Sequence, residues 1–90
     1  DAYALITAAI YFNNNNPVSF LQMGKLQETI NQTDSAEIAY NQALMIDPSF
    51  EETLITLIDF YSKKKDKYKV KVYTDRLNKV RKRKRNLVNE

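Results

Sequence analysis

Slid against itself by thirty-four residues, this chain lines up without a gap, and that self-similarity limits its fold more than any other feature. Ala2 falls on Ala36 and Val70, Ile6 on Tyr40 and Thr74, Ala9 on Ala43 and Leu77, and Phe12 on Ile46 and Val80. The same shift sets Phe20 over Leu54, Met23 over Leu57 and Gln27 over Tyr61. Apolar residues recur at i, i+3, i+4 and i+7 in Ala2, Leu5, Ile6, Ala9 and Ile10, and again in Ala36, Ala39, Tyr40 and Ala43. That is the spacing of amphipathic helices. A helix pair of this length cannot bury its apolar face alone and has to stack on its neighbours.

The ends of the helices are marked as well. Asn16 before Pro17 fits an N-cap and a first helical position, and Asp34 with Glu37, then Ser49 with Glu52, have the spacing of capping boxes. Asp47 and Pro48 stop a helix near Ile46, because proline removes a donor and clashes with the preceding turn. Helices are therefore expected near 2–12, 17–31, 34–46, 50–63 and 67–86. Their short connections make consecutive helices antiparallel neighbours. With 43% hydrophobic and 28% charged residues, one glycine and two prolines in 90 residues, the composition is that of one folded helical domain. Asp1 already lies inside a helical pattern, so the native N-terminus is expected to lie upstream.

Bulky Phe20 and Met23, then Gly24, small Ala36, aromatic Tyr40, Ala43 and Pro48 follow one another across 17–50 in an order that resembles the tetratricopeptide repeat. Gln27 stands where that family usually has Tyr. Residues 1–16 look like the second helix of a preceding repeat, and 51–84 like a degenerate following one. In the latter Leu54, Leu57 and Tyr61 are in place and Ile58 takes the glycine position; 81–90 form a basic end. The resemblance implies an all-α fold over 1–90, in which antiparallel helix-turn-helix repeats stack as a short right-handed solenoid. Gly24, Ala36 and Ala43 let two helices approach closely while Phe20, Met23 and Tyr40 fill the space around them, so these residues read as core.

The resemblance further implies a protein–protein interaction module, which binds a peptide segment of a partner in the concave groove lined by the first helix of each repeat. Carried over position by position, that face presents Val18, Leu21, Gln22, Lys25, Glu28 and Thr29, then Glu52, Ile55, Thr56, Asp59, Ser62 and Lys63. Leu21 and Ile55 would be the apolar anchors, and Lys25 and Lys63 would meet acidic groups of the peptide. Leu21, Ile55 and Asp59 stand where family members that clamp a C-terminal carboxylate carry lysine or asparagine, which argues against that ligand. On this reading Gly24→Leu costs several kcal/mol by overpacking, whereas Leu21→Ala costs little, its side chain facing the groove.

Charge divides the chain. Residues 1–62 hold Lys25 against eight acidic residues, a balance of −7, and 63–90 hold thirteen basic residues against Asp66, Asp75 and Glu90, a balance of +10. Opposite balances of this size predict weak, salt-sensitive homo-association. Lys79, Arg81, Lys82, Arg83, Lys84 and Arg85 form a run that attracts nucleic acid, acidic lipid or acidic protein, or that simply keeps the end of an array solvated. A structural scaffold in a larger assembly is a further reading. The chain lacks cysteine and histidine and has a single glycine, which removes disulfides, the usual metal ligands and general base, and any glycine-rich phosphate loop. Neither enzymatic activity nor a cofactor is expected. Without an apolar run of about 18 residues, a soluble, cytoplasmic protein is expected.

Overall fold

A computed structural model of the chain describes residues 16–89, with side chains as far as Arg85. These residues form helices α1 (Pro17–Thr29), α2 (Thr33–Ile46), α3 (Glu51–Lys63) and α4 (Lys67–Asn89), and no strand occurs among them. The fold is all-α. The helix expected near 2–12 lies outside the described residues. The chain divides into two compact units that part between Pro48 and Ser49, each containing one helical hairpin.

In the first hairpin, α1 starts as its sequence demands. The Asn16 side chain accepts from the backbone N–H of Val18 at 2.9 Å, and Pro17 takes the first helical position, where a missing donor is harmless. At the other end the chain reverses through Asn31 at φ 64. The N–H of Asn31 bonds the Glu28 carbonyl at 3.0 Å and that of Gln32 the Gln27 carbonyl at 2.8 Å, the paired bonds of a Schellman cap. Asparagine suits the left-handed position because it pays less there than other non-glycine residues. α2 begins one residue earlier than the expected capping box. Gln32 occupies its N-cap position without a side-chain bond, which places Asp34 inside the first turn, where a carboxylate still favours the helix dipole. Asp47 is extended, at φ −142 and ψ 91, as a residue before proline tends to be, and α2 stops there.

The core of this hairpin is built round one contact. Leu21, Gly24, Gln27, Ala36, Ala39, Tyr40 and Ala43 are buried. A Cβ on Gly24 would fall 2.6 Å from Cδ1 and 2.9 Å from Cζ of Tyr40, so the ring lies directly against the α1 backbone. The Tyr40 hydroxyl continues past Gly24 and donates to the Glu28 carboxylate.

The second hairpin repeats the device at its turn. Lys65 has φ 60, its N–H bonds the Ser62 carbonyl at 3.0 Å, and that of Asp66 bonds the Tyr61 carbonyl at 2.9 Å. Asp66 then caps α4, its carboxylate accepting from the Lys69 N–H at 3.1 Å. The N-cap position of α3 falls to Phe50, one residue after the expected Ser49, and Phe50 makes no side-chain cap bond, while Glu51 and Glu52 sit in the first turn. Thr53, Leu54, Leu57, Phe60, Tyr61 and Leu77 form the buried core. Tyr61 packs edge-on to Phe60 at 5.2 Å and stacks on Tyr73 of α4 at 5.7 Å, nearly parallel. Helix starts, helix ends and left-handed turn residues of the two hairpins fall at equivalent places of the thirty-four-residue shift: Pro17 with Glu51, Thr29 with Lys63, Asn31 with Lys65, Thr33 with Lys67.

Candidate functional site

The face expected to hold a peptide is only partly available. Gln22 and Lys25 are exposed on α1, but Leu21 is 2% exposed and Glu28 is half-buried beneath the Tyr40 hydroxyl. Leu21 stands three residues before Gly24 and seven before Glu28, so it shares the stripe of α1 that packs on α2. The expected apolar anchor on α1 is therefore a core residue, a correction to its reading as an exposed side chain. On α3, Ile55 is 46% exposed, Thr56 is half-buried, and Asp59 pairs with Lys63 at 3.1 Å between exposed side chains. The four α3 residues share one side of that helix. The α1 and α3 sets belong to different units.

An apolar cleft of about 330 Å³ opens elsewhere, between α1 and α2. Phe20, Met23 and Gln27 line it from α1, and Ser35, Ile38, Ala39 and Gln42 from α2. Ile38 is 63% exposed, and Met45, two turns further along the same side of α2, is 76% exposed. Single exposed aliphatics are ordinary, but Ile38 is one that lines an apolar hollow. At the floor lies Gln27, 3% exposed, whose Oε1 finds no hydrogen-bond partner among the described residues. A buried acceptor left unpaired costs about 1–3 kcal/mol.

No family model, curated protein or solved structure matches the chain.

Ile38 and Met45 carry a sequence signal of their own, although the family resemblance does not point to them. The buried stripe of α2 is Ala36, Ala39, Tyr40 and Ala43; Ile38 and Met45 fall off it, seven residues apart, which places both on the outer side. The second hairpin has a hollow of about 420 Å³ between the end of α3 and the start of α4, but Lys65, Asp66, Lys67, Lys71 and Asp75 surround it. Among the described residues there is no cluster of carboxylates, histidines or cysteines able to hold a metal ion, and no helix long and apolar enough to cross a membrane.

The basic run lies on α4. All six of its residues are exposed; Arg81 Nε is 3.7 Å and Lys84 Nζ 3.4 Å from the carboxylate of Glu51, and Lys79, Lys82, Arg83 and Arg85 stand away from it. The run is thus split between two sides of one helix.

Proposed function

We propose that this chain is a protein–protein interaction module that holds an apolar segment of a partner polypeptide in the α1–α2 cleft. The observation that carries this reading is the exposure of Ile38 at a hollow lined by Phe20, Met23 and Gln27, with Met45 exposed seven residues further along α2. A partner helix presenting side chains at i, i+3 and i+7 fits a groove of this kind. The shift-related boundaries of the two hairpins support reading them as repeats of one array, the solenoid arrangement that the resemblance implies. Gln22 and Lys25, exposed on the same hairpin, would then extend the recognition surface and not anchor it. Affinity is expected in the micromolar range, because buried anchors and not contact area set affinity and this cleft offers few.

The test is calorimetry with amphipathic helical peptides selected on an array. Ile38→Asp with Met45→Asp should weaken binding by at least about tenfold, the scale on which interface anchors act. The melting temperature should stay close to that of the parent, since both side chains are exposed. Unchanged affinity in this variant, or a loss that follows Ile55→Asp instead, refutes the cleft as the site.

A further inference from the structure

We propose that the outward side of α4 binds double-stranded DNA through its phosphates, with the helix seated along the major groove. α4 runs for 23 residues without a break, about 34 Å at 1.5 Å per residue. Its inward stripe is occupied: Leu77 is buried and Tyr73 stacks on Tyr61. Arg81 and Lys84 reach inward too, to Glu51 of α3. Other cations fan out round the rest of the helix. At about 100° per residue, Lys67, Lys71, Lys82, Lys79, Arg83 and Arg76 follow one another round half the circumference, and all are exposed; Lys82, Lys79 and Arg83 form its middle, Lys67 and Lys71 border the hollow beside α3, and Arg76 lies over the Tyr73 ring at 5.8 Å. Asp75 is the one acidic residue among the described residues in that fan.

The breadth of the fan selects the occupant. A lipid surface is flat and meets a narrow strip of a helix, and helices that settle there sink an apolar face, which α4 has already buried against α3. The major groove of B-form DNA is about 12 Å wide, matching a helix of about 10–12 Å, and both its walls carry phosphates. Cations spread over half a helix reach both walls at once. Duplex RNA closes its major groove to a helix. Single strands need stacking faces, and Tyr68, 78% exposed, is the one aromatic that α4 turns outward. Four or five phosphate contacts give a slope of log K against log salt of about −4, so binding should fall by about 10²–10³-fold between 50 and 200 mM salt.

Fluorescence anisotropy of the full chain with a labelled mixed-sequence DNA duplex tests this, beside the same sequence as duplex RNA and beside vesicles of phosphatidylserine and phosphatidylcholine. Two variants with identical charge change separate geometry from net charge: Lys79→Gln with Lys82→Gln on the fan, and Arg81→Gln with Lys84→Gln at Glu51. The first should weaken DNA binding by about tenfold or more and the second by less than about threefold, because phosphate contacts act locally. Circular dichroism checks that both remain helical. Equal losses in the two variants, or RNA duplex or vesicles bound as tightly as DNA, overturn the proposal.

Discussion

A methyl group at position 24 would meet the Tyr40 ring at less than 3 Å, and that ring has nowhere to go, being fully buried with its hydroxyl held by Glu28. Helix propensity alone favours alanine over glycine by about 1 kcal/mol. The clash should outweigh it, so Gly24→Ala is expected to destabilise the chain by about 1–3 kcal/mol, read as a lowered urea midpoint. A raised midpoint would show that the ring can swing aside. At the shift-related places of the second hairpin stand Ile58 and Thr74, a large residue where the first has glycine and a small one where it has tyrosine. Moving that pair across, as Gly24→Ile with Tyr40→Thr, should therefore recover part of the stability lost by Gly24→Ile alone, and a double-mutant cycle measures the coupling. Leu21→Ala is now expected to cost about 2–5 kcal/mol, the range for a truncated core leucine, in place of the small loss expected of a groove residue. The glycine and the aromatic were legible in the sequence because their sizes are complementary. Leu21 was not, because a position on a template says less about burial than the helical stripe it shares with Gly24 and Glu28.

Between residues and hairpins, the helix ends show where sequence signals hold. Asn16–Pro17 and Asp47–Pro48 act as expected because proline's constraint is covalent and no tertiary contact can overrule it. The N-cap positions of α2 and α3 fall to Gln32 and Phe50 and not to the expected Asp34 and Ser49, a shift that a side-chain cap worth only about 1 kcal/mol does not prevent. At α2 the backbone bonds of the Schellman turn fix the chain two residues before Asp34 and let the helix start early. These turns left no glycine to find: Asn31 and Lys65 occupy the left-handed positions. Lys65 bears the larger penalty, lacking the short polar side chain that eases Asn31. Lys65→Gly should accordingly raise stability by about 0.5–1 kcal/mol, the relief of the strained φ less the added freedom of the unfolded chain. A thermal melt that shows no gain would place the strain elsewhere.

For the molecule as a whole, the balance of −7 on 1–62 and +10 on 63–90 predicts attraction between copies at low ionic strength. Light scattering across a salt series should show a mass above that of the monomer at the lowest salt and the monomer at physiological salt; a constant monomer rules it out. The two aromatic arrangements also make the chain its own pair of optical reporters. It has no tryptophan, so tyrosine carries its near-ultraviolet signals. Tyr40, buried with its hydroxyl on a carboxylate, belongs to the first hairpin; the stacked Tyr61 and Tyr73 belong to the second. Among the described residues, replacing Tyr40 by Phe leaves near-ultraviolet dichroism dominated by the stacked pair, and replacing both Tyr61 and Tyr73 by Phe leaves it weighted to Tyr40. If the hairpins unfold as one, melts of both variants followed in this band coincide with the loss of helix in the far ultraviolet. If each melts by itself, the near-ultraviolet curve of one variant runs ahead of its helix signal and that of the other lags behind, so spectroscopy reads the order in which the halves open without an attached dye.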